Sequence, residues 1–396
     1  MDNAGASIGV ELVALCDNWP LRLKEFGSRP GVTTYLDYEE FLDHDLDAVI
    51  LANYFHEHAP LAIQAMEAGK HVMSECAACS TLAEAVRLIE AVEASGKIYM
   101  FAENCPYMVF NQEMHRLYQA GRVGDFQYGE GEYTHPMPSE SLNRLAPGVD
   151  HWRNWTPATY YCTHSLAPVM FITDTWPEKV NGFIVPYDRD DPIMAATARR
   201  SDTASMIALR MSNGAVVKLL QTFLRGEGHW IRIHGNKGLM ENLRIGDENW
   251  LRVRREPFDK KPGEPTEQIY KPEFPHRHAQ ATQSGHGGAD FFTNYHFAEA
   301  IRSNTQPYLD VYRGVAMSIV GILAYRSALA DSDTVAIPDL RKKRVRRTYR
   351  DDHWTPNPAQ RGRSGPWPSV RGNIKPTEEA LAVARRHWRQ IRHVGP

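Results

Sequence analysis

The 396-residue sequence contains no apolar run long enough to span a bilayer, and its first residues do not resemble a signal peptide. It has no excess of either charge, because the net charge is −3, so general attraction to nucleic acid or to an anionic membrane is not expected. The five cysteines are an odd number without the spacing of a disulfide framework, which predicts reduced thiols. As given, the sequence predicts a cytoplasmic protein, and export would need a signal upstream of Met1.

Residues 46–84 alternate strand and helix patterns. The short apolar run at 47–52 is typical of a parallel strand covered on both faces, and residues 70–73 predict the next strand. Thr81, followed three residues later by Glu84, indicates a capping box at the start of another helix. This repeat predicts a doubly wound α/β sheet, whose ligands bind at the carboxyl ends of the strands.

An acidic residue closes the first recognisable strand, which is predicted over residues 10–16 and ends at Asp17. A carboxylate there resembles the ribose-binding residue of dinucleotide folds and would favour NAD over NADP, because its charge opposes a 2′-phosphate. Such folds begin with a further strand and a glycine-rich turn, yet nine residues precede Val10 and no G-x-G-x-x-G motif is present. We expect an N-terminally truncated, Rossmann-like parallel sheet without its first strand and glycine-rich turn, which leaves two strands with an unpaired edge.

The pattern changes after Gly124, where strands follow one another. Asn213-Gly214 predicts a hairpin between strands at 204–211 and 215–223. These strands predict a second α+β domain with an open, largely antiparallel sheet. We expect three parts: a dinucleotide-binding domain at 1–124, a substrate and oligomerisation domain at 125–335, and a C-terminal wrapping tail at 336–396.

Several segments, in order, resemble the Gfo/Idh/MocA family of oxidoreductases. They are LVALCD (12–17), HAPLAIQAMEAGKHV (58–72), Glu75, AGRVG (120–124), GGADF (287–291) and LDVY (309–312). The resemblance implies a Rossmann domain that binds NAD, with NADP less expected, and an open sheet domain. It also implies a small carbohydrate or glycoside held between them, and a homo-oligomer formed through the sheet.

Two departures from the family pattern indicate one branch of it. The usual Glu-Lys-Pro is Glu75-Cys76-Ala77, so the family lysine is missing, and the usual D-x-x-x-H is residues 160–164, which keep only the histidine. ENCPY (103–107) and GHGG (285–288) resemble the branch with family-109 glycoside hydrolases, which use tightly held NAD to cleave a glycosidic bond.

The resemblance and the strand ends together predict the site. His164 is the expected base for a sugar hydroxyl, assisted by Tyr161, and Glu75 is the third catalytic candidate. The expected cofactor-binding residues are Asp17, Asn53, Tyr54, His58, Glu75 and Asn104. The expected substrate-binding residues are Trp152, Arg153, Tyr160 and His286.

Other patterns receive plainer interpretations. His56 and His58 lack the i,i+4 spacing of a helical zinc pair, so no metal site is predicted. Cys76 and Cys79 could form a redox pair, but the favoured interpretation is that two small buried residues have this spacing by coincidence. The basic run 341–347 is interpreted as a solvated or interface strand rather than a nucleic-acid site.

The expected function is an NAD-dependent carbohydrate oxidoreductase that moves hydride between a sugar carbon, with C3 favoured, and nicotinamide. One alternative is a glycosidase that works by oxidation, elimination, hydration and re-reduction. Another is a non-catalytic homologue that has lost cofactor binding.

Overall fold

The computed structural model describes residues 4–226 and 228–393. Its strands are β1 Ala14–Cys16, β2 Thr33–Tyr35, β3 Ala48–Leu51, β4 His71–Ser74, β5 Tyr99–Phe101, β6 Phe126–Thr134, β7 Pro177–Val185, β8 Ala204–Met211, β9 Val216–Thr222, β10 Gly228–Gly235, β11 Gly238–Asn242, β12 Leu251–Arg254, β13 Glu267–Tyr270 and β14 Val335–Ala336. Its helices are α1 Ala4–Ile8, α2 Pro20–Phe26, α3 Tyr38–Leu42, α4 His58–Glu67, α5 Leu82–Ser95, α6 Val109–Gln119, α7 Ser139–Leu145, α8 Trp152–Trp155, α9 Thr163–Thr173, α10 His278–Ala281, α11 Ala289–Ser303, α12 Val311–Leu329, α13 Lys343–Tyr349 and α14 Glu378–Gln390.

The parallel strands form two separate sheets, β2-β1 and β3-β4-β5. Among the described residues, no strand pairs with the second edge of β1 or of β3, as the sequence predicted. The predicted strand at 10–16 is shortened to Ala14–Cys16, because β1 has only the short strand β2 beside it. Apolar side chains from both parallel sheets, including Leu12, Ile50 and Met73, line part of the large cleft described below.

The second sheet has the order β13-β12-β11-β10-β6-β9-β8-β7-β14, and all its neighbours are antiparallel except β6 and β9. The predicted hairpin is confirmed: β8 and β9 pair around Asn213-Gly214, where Gly214 has a φ of 87°. Helices α9 and α12 pack against this sheet. At Gly182 the backbone approaches α12 so closely that any side chain would collide with the backbone at Ala324.

Helix α5 begins and ends where its sequence predicts. The Thr81 hydroxyl accepts a hydrogen bond from the amide of Glu84 at 3.1 Å, and the Glu84 carboxylate accepts one from the amide of Ser80 at 2.8 Å. Gly96 ends the helix in the left-handed conformation. The helix packs between α4 and α12, which joins the parallel strands to the second sheet.

The basic run 341–347 was predicted as a strand, and this prediction is wrong. It forms most of α13, which packs on α5. Arg346 is 2% exposed and pairs with Glu93 at 2.8 Å, so its charge is neutralised inside the fold. Farther along the tail, α14 packs on α7. None of the helices within the described ranges is both long and apolar enough to cross a membrane.

Candidate active site

A cleft of about 1540 Å³ lies where the carboxyl ends of the parallel strands face the second sheet. Five residues predicted from the sequence line it together, namely Glu75, Asn104, Tyr161, His164 and His286. Glu75 follows β4, Asn104 follows β5, and His164 stands in the first turn of α9. The predicted cleft between the strand ends and the Tyr161–His164 turn is therefore present.

Glu103 holds the His164 ring. The Glu103 carboxylate is fully buried, and its Oε1 lies 2.8 Å from Nδ1 of His164. Burial alone would raise the pKa of Glu103, but the charge and hydrogen bond of His164, with hydrogen bonds from Cys76 and Thr163, lower it to about 2. When the ring is neutral, the ionised Glu103 accepts the proton of Nδ1, and the lone pair is then on Nε2. His164 lines the cleft, so this tautomer presents a base to a bound ligand.

Cys76 belongs to the same cluster. Its Sγ donates a hydrogen bond to Oε2 of Glu103 at 3.2 Å, and the ligand atoms of Cys76, Glu103 and His164 lie within 4.8 Å of one another. A thiolate, carboxylate and imidazole so placed have the donor types of a zinc site, but here hydrogen bonds join them directly. Burial and then the Glu103 charge raise the pKa of Cys76 well above its ordinary value, and burial does the same for Cys79. Both thiols are free and protonated, which favours the plain interpretation of the pair.

Glu75 is a second carboxyl group with a different protonation behaviour. Its surroundings raise its pKa, first by desolvation and then by the negative charge of Glu103. Two nearby carboxyl groups with pKa values moved in opposite directions suit an acid and a base in one site. Glu75 is thus a candidate proton donor or acceptor beside an ionised Glu103.

Tyrosine rings cover the imidazole. The Tyr133 ring lies 4.6 Å from His164 and the Tyr161 ring 4.8 Å from it, both measured between ring centroids. Desolvation raises the pKa of both phenols, so at neutral pH they donate hydrogen bonds and do not act as bases. The two hydroxyls can orient a sugar hydroxyl toward His164.

Hydrogen bonds to Asp290, in the first turn of α11, link this helix to the strand ends. Nδ2 of Asn104 donates to Asp290 at 3.0 Å, and Nδ1 of His286 lies 2.8 Å from the same carboxylate. This hydrogen bond raises the pKa of His286. The turn before α11 needs glycine, because Gly288 has a φ of 101° and a Cβ there would lie 2.6 Å from the Phe274 ring. The His286–Gly288 sequence therefore places an imidazole at the cleft.

A smaller cavity of about 240 Å³, here called the side pocket, adjoins the cleft at Tyr133, His135, Tyr161 and His286. The predicted substrate residues Trp152 and Arg153 line it. The Arg153 guanidinium lies 4.3 Å from the centroid of the Trp152 ring, and its Nη1 is 3.5 Å from the Tyr161 hydroxyl. The side pocket therefore opens beside the reactive group.

Two consecutive segments of the chain match known protein families. Residues 2–103 match the profile described as oxidoreductase family, NAD-binding Rossmann fold, and residues 111–241 match the GFO/IDH/MocA C-terminal domain. The chain belongs to the Gfo/Idh/MocA oxidoreductase family. Residues 199–347 of this Gfo/Idh/MocA protein also match the C-terminal domain of glycosyl hydrolase 109. The resemblance predicted from the sequence, including its branch, is confirmed.

Proteins named as glycosidases and solved structures of oxidoreductases both match most of this Gfo/Idh/MocA chain. A glycosyl hydrolase family 109 protein of Solibacter usitatus is 26% identical, in a match that covers 86% of this chain and 84% of that protein. An α-N-acetylgalactosaminidase of Shewanella oneidensis is 26% identical over 84% of this chain and 80% of its own length. Among solved structures, a levoglucosan dehydrogenase in complex with NADH and levoglucosan matches with a TM-score of 0.71 at 19% identity, over 85% of this chain and 95% of that one. An aldose-aldose oxidoreductase from Caulobacter crescentus matches with a TM-score of 0.67 at 19% identity, over 85% and 96%.

The family description confirms the prediction of an NAD-binding Rossmann domain, and the residues at the strand ends fit the nicotinamide part of that cofactor. Oδ1 of Asn53, just beyond β3, is buried and has no partner within the described residues, so it can accept a hydrogen bond from a ligand. Asp17 is exposed just after β1, and its carboxylate accepts a hydrogen bond from the amide of Trp19 at 2.7 Å. With Glu75 and Asn104, these groups are the candidates for holding NAD.

Five predicted residues of this Gfo/Idh/MocA protein line neither cavity: Asp17 and Asn53, described above, and three further residues. His58 is buried, and its two ring nitrogens lie 2.9 Å and 3.2 Å from the carbonyls of Ala77 and Asn53, so it braces the strand ends and does not line the cleft. Tyr160 is buried against Phe55 and lines neither cavity. Tyr54 packs on His151, with ring centroids 4.7 Å apart, outside both linings.

The sequence interpretation missed Glu103, Tyr133 and Arg199. Glu103 comes directly after β5, so the strand-end rule could have identified it. Tyr133 stands in β6 and Arg199 in a segment between strands, and neither carries a local sequence signal.

Proposed function

We propose that this protein is an NAD-dependent carbohydrate enzyme that oxidises a hydroxyl-bearing sugar carbon, with C3 as the expected position. One observation carries the proposal: an ionised, buried Glu103 fixes His164 so that Nε2 stands as a base in a cleft beside the strand ends. Such a dyad suits removal of a hydroxyl proton while hydride leaves the same carbon.

Different side chains of the cleft have different roles in this reaction. His164 takes the hydroxyl proton at Nε2, and Glu103 stabilises the resulting imidazolium through Nδ1. The phenols of Tyr133 and Tyr161 donate hydrogen bonds to the sugar oxygens and exclude water from the imidazole. Bound NAD supplies the hydride acceptor and, in a glycosidase, the hydride donor for re-reduction. Asn53, Glu75, Asn104 and Asp17 would hold it.

A glycosidase is the second candidate, favoured by the match of residues 199–347 to the C-terminal domain of glycosyl hydrolase 109. In this version the C3 ketone acidifies the C2 proton, a base removes it, and the bond from C1 to the leaving oxygen breaks. Desolvation and then the charge of Glu103 raise the pKa of Glu75, which favours it as the group that exchanges the C2 proton. Water then adds across C1 and C2, the ketone is reduced, and no net oxidation remains.

The two versions differ in their products. The purified chain should carry nicotinamide, detected by its absorbance after denaturation, and should act on a panel of sugars and nitrophenyl glycosides. NADH that accumulates with a keto sugar identifies the dehydrogenase, and nitrophenol release without net NADH identifies the glycosidase. His164→Ala should abolish either activity. Absence of nicotinamide together with absence of turnover would contradict the proposal and support a non-catalytic homologue.

We also propose that two copies associate through the exposed face of the large sheet. Phe183 and Val185 on β7 and Val216 on β9 project from one face and are 44%, 43% and 42% exposed. Phe183 and Val185 are two residues apart on β7, and exposed apolar side chains on a sheet suit burial against a second copy. Light scattering should report a homo-oligomer.

A further inference from the structure

Within the described part of the chain, the side pocket is lined by basic side chains and by no acidic ones. Its described lining includes Arg153 and Arg199 with His135 and His286, and none of the lining residues is an aspartate or glutamate. Its other walls are apolar or aromatic, among them Leu142, Trp152 and Phe223. A cavity with two guanidinium groups and no carboxylate favours a negatively charged occupant.

Arg199 is the more informative of the two arginines. It is 5% exposed, and its guanidinium lies 4.2 Å from the centroid of the Phe223 ring. Burial lowers its pKa to about 10, so it remains a cation at neutral pH. Nε and Nη2 donate to the carbonyls of Ser201 and Asp202, and within the described structure no carboxylate lies within ion-pair distance. Buried cations are ordinarily paired, because desolvation of an unpaired charge is costly.

The Asp202 carboxylate, which acts on the Arg199 charge, already accepts hydrogen bonds from other groups. Asp202 accepts hydrogen bonds from the Ser369 hydroxyl at 2.6 Å and from the amides of Val370 and Tyr187, both at 2.9 Å. It therefore fixes the tail and a loop and does not pair directly with Arg199.

Arg153 lines the same pocket. Apart from the long contact to Tyr161, its side chain makes no hydrogen bond or ion pair within the described structure. Its charge also contributes, after burial, to lowering the pKa of His151 to about 3. Asp202 thus offsets part of the Arg199 charge from beyond ion-pair distance, whereas Arg153 has no ion-pair partner within the described structure.

We propose that the side pocket binds an anionic substituent, a carboxylate or a sulfate or phosphate ester, carried by the sugar or its leaving group. This inference rests on the proposed function for the nature of the ligand, since the pocket adjoins the cleft at Tyr161 and Tyr133. The Arg153 and Arg199 guanidiniums bind the anion.

Calorimetric titration of the full chain tests this, with and without added NAD. The probes are glucose and galactose, the matching glucuronate and galacturonate, glucose 6-sulfate and glucose 6-phosphate. At least one anionic probe should bind about 10- to 100-fold more tightly than its neutral parent, as expected for charge-assisted hydrogen bonds. The anion that binds best identifies carboxylate, sulfate or phosphate.

Arg153→Gln should bring the two affinities within about threefold, whereas Arg153→Lys should retain part of the preference. Arg87→Gln, an exposed arginine on α5 away from both cavities, is the matched control and should bind like the wild type. Equal binding of neutral and anionic probes, a preference that survives Arg153→Gln, or no binding of any anionic probe would each overturn the inference. A chain that prefers the anion but lacks nicotinamide and turnover supports the pocket and overturns only the proposed function.

Discussion

Replacing Glu103 by glutamine tests the central feature of the site. The substitution keeps the size of the side chain but removes the charge that holds Nδ1 of His164 at 2.8 Å and accepts from Cys76 at 3.2 Å. A hydrogen bond to a charged group is worth about 1.5–3 kcal/mol, so the loss of imidazolium stabilisation should lower kcat about 10- to 100-fold. KM should change little, because Glu103 is buried and lies behind His164.

The same substitution has a consequence for stability that depends on pH. The folded-state pKa of Glu103 is about 2, below its ordinary value of 4.5, so its contribution is present above pH ~4.5 and is lost as the pH falls toward 2. The difference corresponds to about 3 kcal/mol of unfolding free energy at pH 7. The wild type should therefore lose more stability than Glu103→Gln between pH 5 and pH 3, in urea titrations followed by circular dichroism.

Glu113→Gln is the matched control, because this glutamate on α6 is also ion-paired, with Arg116, but lies outside the cleft. It should leave kcat within about twofold of the wild type. If Glu103→Gln kept the wild-type kcat, or if its stability fell with acid as steeply as that of the wild type, the assigned role of Glu103 would be refuted.

Three further predictions concern the surroundings of the site. Gly288→Ala should cost about 2 kcal/mol or more of unfolding free energy, because φ is 101° and the new Cβ meets Phe274; an unchanged urea midpoint would contradict this. Trp388→Ala should raise KM with little effect on kcat, because Trp388 donates to the Asn143 carbonyl at 3.0 Å and supports α7; a fall in kcat alone would argue otherwise. Phe183→Asp should reduce the mass in light scattering to that of one chain, and an unaltered mass would exclude this sheet face as the interface.

The sequence was sufficient for the features that depend on local pattern. The alternation of strands and helices, the capping box at Thr81, the hairpin at Asn213-Gly214 and the unpaired edges all follow from neighbouring residues, and the structure has them. The turn that carries Tyr161 and His164 could be identified because family motifs surround it.

The features that the sequence did not predict depend on distant partners. The basic run forms a helix because Glu93 and Glu90 on α5 pair with Arg346 and Arg350, more than 200 residues away in the sequence. Tyr133 reaches His164 only because β6 packs against α9. Arg199 lines the side pocket from an irregular segment before β8, where the sequence has no helical or strand periodicity.

The C-terminal helix α14 contacts a helix that lines the side pocket. Helix α14 packs on α7, and Leu142 and Leu145 of α7 form a wall of the side pocket. The dyad of Glu103 and His164 stands on other elements, after β5 and at the start of α9. Changes in α14 should therefore reshape which substituents are accepted while the proton-transfer groups keep their geometry. With the side pocket in the role proposed above, the tail is a region where evolution or engineering can alter selectivity without moving Glu103 and His164.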